Sequence, residues 1–197
     1  MEKTSSGSGM GGGRIDYRVL RSGRRTLSIE IRDNGIVVRA PYEASDAEIE
    51  SFVADHSKWI LKHTDIRNKR REKLSEVKPL TYEELQELAE KAAEVIPGRV
   101  RYYAQRIGVT YGRITIRNQR TRWGSCSARG NLNFNCLLML APPEVVDSVV
   151  VHELCHRKEM NHSERFYAEV FRVFPDYLKW NRWLKENGEE LLKRGAV

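Results

Sequence analysis

The sequence predicts an α+β protein, with a small amino-terminal module of antiparallel β-hairpin strands and a helix, then a larger domain built on one histidine-bearing helix and a short mixed sheet. Three observations carry this. Apolar residues alternate with polar ones over residues 17–38 around Asp33-Asn34-Gly35, the mark of short strands joined by a tight turn. His152 and His156 stand four apart in an apolar stretch, a helical spacing. Two further runs, ITIRNQ and NLNFNCLLML, have strand character.

Taken in order, residues 1–13 are rich in Gly and Ser, have no apolar period, and read as a disordered tail. Residues 14–72 form the β-rich module with its helix. Tyr17 and Val19, then Leu27, Ile29 and Ile31, then Ile36 and Val38 suggest three antiparallel strands, and Ser45 to His63 a capped helix with Ile49, Phe52, Val53, Trp59 and Ile60 on one side. The charged KRREK run at 69–73 is expected to break the chain before the second domain, 73–197. There, Thr81 with Glu84 three residues later opens a helix expected to end near Pro97, with a further helical stretch over 98–106 before Gly108. After ITIRNQ and the TRWGSC loop, residues 131–140 read as one strand with Leu132, Phe134 and Cys136 on one face and three asparagines on the other.

The next helix carries the chemistry. Pro143 suits a first helical position, and Val146, Val149, Val150 and Leu154 follow at helical spacings. Val149 to Val151 are β-branched and would suit a strand, but a strand would part His152 and His156 by about 13 Å. On a helix both imidazoles reach one ion, and Glu153 beside them is placed to take a proton from a bound water. Glu159 lies about 10 Å further along a continuous helix, too far to share that ion, so a third ligand must come from chain that turns back. Asn161 suits the helix end, Ser163 caps a new helix, and His162 sits on the corner, with Glu164 and Glu169 as rivals for the role. Zinc suits three imidazoles, as do nickel, cobalt, copper or iron.

Charge is the second signal. Residues 99–122 contain seven arginines and no acid, a balance equal to the whole chain's net +7. Arg113, Arg117, Arg120 and Arg122 are candidates for binding an anionic substrate or nucleic acid, with Trp123 as a stacking group. Asn133 and Asn135 are candidates for holding an extended peptide along their strand, or else they form a solvated face. Cys126, Cys136 and Cys155 lack CxxC spacing, so no disulfide framework is expected, and Cys155 points away from the histidine face. No segment has the length of apolar residues a membrane span needs, and the start lacks a signal-peptide core; the expectation is a soluble, cytoplasmic protein.

TRWGSCSARGNLNFN at 121–135, APPEVVDSVVVHELCHRKEMNHSERFYAEVF at 141–171, and Trp180 to Leu184 resemble the YgjP-like metal-dependent hydrolases, as do the arginine-rich strands from Arg14 and the helix from Ser45. The resemblance implies a zincin-like catalytic domain, His152, His156 and His162 as metal ligands, and Glu153 as the catalytic carboxylate. The histidine spacing also equals that of metzincins, but Glu159 stands where they have glycine. Relatives of the family include SprT and WLM proteases, which act on DNA-bound proteins. The function expected is that of a metallopeptidase. The alternatives are a metal-dependent nucleoside triphosphate pyrophosphohydrolase, for which the arginines would be the substrate site, and a DNA-associated protease or nucleic-acid-binding module with structural zinc.

Overall fold

The computed structural model describes residues 15–32 and 34–196, so the tail expected over 1–13 and Asp33 of the expected turn lie outside the described residues. The chain divides into two units, 1–75 and 76–197. The element content is mixed α and β in both.

In the first unit, strands β1 (Tyr17–Ser22), β2 (Ser28–Arg32) and β3 (Gly35–Pro41) form a sheet in the order β1-β3-β2. The hairpin β2–β3 is antiparallel as expected, and Gly35 takes a φ of 114°, a conformation that costs glycine little and other residues more. β1 does not continue the antiparallel pattern. It runs parallel to β3, with Tyr17 opposite Ile36 and Val19 opposite Val38. Alternation fixes which face a strand buries and says nothing of its direction, so either pairing satisfies the sequence. The expected single helix is two: α1 (Asp46–Asp55), closed at its start by a Ser45–Glu48 capping box, and α2 (Ser57–Ser75), with the chain breaking at His56. The charged run at 69–73 does not interrupt α2, because a solvated helix tolerates a polar face all round. Ile15, Tyr17, Val19, Val38, Ile49, Val53 and Ile60 make this unit's core.

The second unit opens with α3 (Tyr82–Ile107), capped by Thr81 and Glu84 as expected and closed by Gly108 at a left-handed φ of 77°. Pro97 neither ends nor divides it. A proline inside a helix loses one backbone bond and costs ~3 kcal/mol. Here Ile96 and Val100, both fully buried, flank it, and each such burial returns about 2 kcal/mol. The helix continues because its neighbours are worth more in the core than the proline costs.

Strands β4 (Ile114–Arg117), β5 (Gly124–Cys126) and β6 (Leu132–Asn135) form a mixed sheet in the order β4-β6-β5, with β4 parallel and β5 antiparallel to β6. The long strand expected over 131–140 stops at Asn135, whose side chain accepts from Leu137 N and caps a 3-10 turn over Cys136–Leu140. Helices α4 (Pro143–Cys155), α5 (Glu164–Val173) and α6 (Tyr177–Arg194) complete the unit. α4 is buried nearly all round, which explains how Val149, Val150 and Val151 sit in a helix: a propensity cost below ~1 kcal/mol each is outweighed by burial. Arg99 of α3 donates to both oxygens of the buried Asp147 of α4 at 2.8 and 2.7 Å, joining the two helices by a charge-assisted bond. The Leu80 N–H donates to the Arg194 carbonyl at 2.7 Å, and Asn118 Nδ2 to the Gly195 carbonyl at 2.8 Å, which tie the end of α6 to the start of the unit and to the loop after β4. No helix among the described residues is long and apolar enough to cross a membrane.

Candidate metal centre

His152 and Glu153 occupy the last turn of α4, which ends at Cys155 rather than near Asn161. His156 is its C-cap and keeps helical angles (φ −61°, ψ −15°), so the four-residue geometry survives the early end. No left-handed residue is needed at Asn161: Arg157, Lys158 and Glu159 donate back to the Leu154 and Cys155 carbonyls and turn the chain. Ser163 then caps α5 by accepting from Phe166 N, as expected, and His162 stands just before that cap.

The three imidazole rings lie pairwise at 4.9 Å between centroids, and one nitrogen from each lies within 4.8 Å of the other two. Phe166, fully buried, sits 5.0, 4.7 and 4.9 Å from His152, His156 and His162, a common apolar support beside all three. His152 Nε2 and His162 Nε2 are 3.1 Å apart, close to the ~3.3 Å that two nitrogens show across a tetrahedral ion at 2.0–2.1 Å. Two further ring nitrogens are held by hydrogen-bond partners. His156 Nδ1 is 3.1 Å from the Glu159 carbonyl, an acceptor only, so Nδ1 carries the proton and Nε2 keeps its lone pair. His152 Nδ1 is 2.9 Å from the Tyr177 hydroxyl. Burial and the two neighbouring histidines push the His152 pKa down to about 4, and burial lowers that of His156, so both rings are biased towards the neutral form that binds metals. The donor set therefore fits a divalent ion. Glu169, one rival ligand, is occupied by Lys158 at 3.1 Å and Arg172 at 2.7 Å, and neither it nor Glu164 joins the cluster of converging atoms.

Glu153 is 6% exposed and lies in the same cleft, of about 250 Å³, as His152, Arg122, Trp123, Gly124 and Tyr177. Burial raises its pKa to about 8, and the positive charge of Arg122 opposes that rise. Its carboxyl is packed so closely on Gly124 that a Cβ there would meet Glu153 Cγ at 2.7 Å and Oε1 at 2.8 Å. The glycine of WGSC is thus the residue that makes room for the carboxylate. Cys155 is buried in the core, with its thiol pKa pushed up to about 12 by desolvation, in keeping with a packing role.

Residues 25–86 and 83–187 match the YgjP-like, metallopeptidase domain family. The chain belongs to that family. Two solved structures are similar over part of it, both metallopeptidase zymogens: abylysin of Pyrococcus abyssi (20% identity, TM-score 0.43) and jannalysin of Methanocaldococcus jannaschii (19%, 0.42). Each match spans 47% of this chain, and 94% and 95% of those chains respectively. No curated protein sequence matches. Membership in this metallopeptidase family implies a hydrolase that uses a divalent metal and takes a peptide substrate.

The second unit separates the other residues singled out from sequence. Arg122 and Trp123 line the cleft with Glu153. Arg113 and Arg117 line a different groove, against Ala93 and Pro97 of α3, because β4 is the sheet edge opposite to β5. Arg120 is exposed on the loop between them, and Arg99 is engaged by Asp147, so the arginines of 99–122 do not gather on one surface. The reading of Asn135 as a substrate contact is corrected: it is fully buried, and its amide donates to the Gln119 and Arg122 carbonyls at 2.7 and 3.0 Å. Asn133 donates to Ser125 Oγ at 3.2 Å across the sheet. Nor is β6 an edge strand open to a peptide; it is the centre of the sheet, paired on both sides. Tyr177 and Phe166 escape sequence reasoning. The Phe174-Pro175-Asp176 break marks where α6 begins, but nothing local says that its first residue reaches back to His152.

Proposed function

We propose that this YgjP-like protein is a zinc-dependent peptidase in which His152, His156 and His162 hold the ion and Glu153 is the general base. What supports the reading above all is the convergence of three imidazoles beside one buried carboxyl, which lines a cleft with His152. No cysteine or carboxylate joins the three histidines among the described residues, which favours an open coordination position over the closed shell of a structural zinc. When bound, the ion supplies a Lewis acid that polarises the scissile carbonyl and acidifies water.

The chain's own residues do the rest. Glu153 takes the proton of the attacking water and passes it to the leaving amine. Burial favours the protonated form of this carboxyl, and a cation held by the histidines would favour its ionised form, as Arg122 already does in part. Tyr177 and the Glu159 carbonyl hold His152 and His156 by their Nδ1 atoms, and the buried Phe166 packs against all three rings. β5, paired on one side with β6, has a free edge among the described residues and brings Gly124 into the cleft, so an extended peptide has backbone groups to pair with there.

The test is hydrolysis of internally quenched peptides and of ATP by zinc-loaded protein, with Glu153→Gln as the blank. Peptide cleavage that falls by about 10²–10⁴ in the variant, with zinc content kept, is the expected result. Cleavage of ATP and of no peptide would replace the reading with phosphoanhydride hydrolysis.

A further inference from the structure

Arg122 is the one arginine or lysine among the described residues that line the cleft. Its guanidinium makes no hydrogen bond or ion pair with the described residues. The other arginines nearby are engaged: Arg157 donates to the Thr110 and Ala128 carbonyls, and Arg172 pairs with Glu169. The loop that carries Arg122 is nevertheless fixed with care. Asn135, at the centre of the sheet and without solvent exposure, donates to the Gln119 and Arg122 carbonyls, and its own N–H donates to the Trp123 carbonyl at 2.9 Å. Asn118 donates to the Gly195 carbonyl at 2.8 Å, and the Trp123 ring packs so tightly on α6 that a Cβ at Gly188 would meet it at 3.0 Å. A buried asparagine, a strand bond and a ring lock thus hold a backbone whose one free charged group reaches the cleft mouth.

We propose that Arg122 is a carboxylate-recognition subsite, so that the preferred peptide presents an anionic group beside the cleaved bond, either an acidic side chain or the free carboxy terminus. The inference rests on the peptidase reading above. A guanidinium fork matches a carboxylate bidentately, and a fixed backbone reduces the ordering cost of that match. The same charge repels a basic side chain at that position, so discrimination works in both directions.

The test uses zinc-loaded full chain and one set of internally quenched peptides in which each position in turn carries Asp, Ala or Lys, every peptide made with an amidated and with a free carboxy terminus. The wild-type protein is expected to favour an anion over its neutral counterpart by about tenfold in kcat/KM and to disfavour Lys. A preference for internal Asp in amidated peptides identifies the side chain as the anion; a preference for the free terminus with neutral residues identifies the terminus. In Arg122→Gln the anion-to-neutral ratio collapses to within about threefold, and in Arg122→Glu it reverses in favour of Lys. A ratio near one in the wild-type protein, or an intact ratio in Arg122→Gln with only the pH profile moved, overturns the proposal. Binding of N-acetyl-Ala-Asp-amide, N-acetyl-Ala-Ala and N-acetyl-Ala-Ala-amide, followed by NMR, needs no turnover. Tighter binding of either acid than of the amide, lost in Arg122→Gln, keeps the subsite even where no peptide is cut, which would sink the peptidase reading alone. Cleavage without discrimination sinks the subsite alone.

Discussion

Gly124→Ala is expected to disable the protein while leaving it folded and able to hold metal. The added Cβ would stand 2.7 Å from Glu153 Cγ, 2.8 Å from Oε1 and 3.0 Å from Cδ. Carbon atoms in ordinary contact are about 3.5–4.0 Å apart, so the carboxyl must retreat by roughly 0.7–1 Å. It has little room, being 6% exposed. A displacement of that size at a reacting group costs about 10²-fold in turnover, and the crowding costs ~1–3 kcal/mol of stability. The histidines lie on other atoms of α4 and on the turn after it, so zinc affinity is expected to change by less than about tenfold. The assay is kcat for a quenched peptide, measured beside zinc stoichiometry and a urea melt, with Glu153→Gln as the reference for complete loss. Gly124→Ala that retains more than half the wild-type kcat would refute the reasoning, because it would mean that the carboxyl packed on Gly124 is not the group that moves the proton.

Three further outcomes follow from the same geometry. Tyr177→Phe removes the partner of His152 Nδ1 and is expected to weaken zinc binding by about 10–100-fold in a chelator competition; unchanged affinity would show that the 2.9 Å contact does not orient the ring. Asn135→Ala strands the Gln119 and Arg122 carbonyls and Leu137 N, at a cost of about 3 kcal/mol by urea melt, whereas Asn133→Ala, with one bond to Ser125, costs less than about 1 kcal/mol; equal costs would contradict the central burial of Asn135. Metal-free protein should depend on pH through two opposed groups. His152, lowered to about 4, favours the folded state fully above its unfolded pKa of 6.5 and loses that advantage as pH falls towards 4. Glu153, raised to about 8, contributes stability that is whole below its unfolded pKa of 4.5 and is lost as pH rises through 8. Between pH 6.5 and 8 only the second slope remains, on the order of 2 kcal/mol, and Glu153→Gln should flatten it. A wild-type curve already flat there would mean that the carboxyl is not desolvated.

Local chemistry made much of this molecule legible from its sequence. The caps at Ser45, Thr81 and Ser163 and the start of α4 at Pro143 are written within four residues of the element they begin, and the structure has them there. The clustering of His152, His156 and His162 is likewise local, a helical spacing followed by a corner. What sequence reasoning missed was set by distant neighbours. The direction of β1 depends on which edge of β3 it joins. Pro97 stays inside α3 because Ile96 and Val100 on the same helix are buried, and the alternation fails after Phe134 because Asn135 turns inward to cap and to hold a loop. Tyr177 reaches His152 across 25 residues of sequence, a span over which no motif operates.

The bond from Leu80 N to the Arg194 carbonyl brings together two points that are far apart along the chain. The beginning and end of the second unit therefore lie side by side, and its fold is expected to tolerate a different starting residue. A permuted gene that joins residue 196 to residue 80 through a short linker, and opens the chain at an exposed position such as Arg129, is expected to keep the helices and the cleft residues in place. The unit is for the same reason suited to insertion into a host protein, because both of its ends leave from one spot.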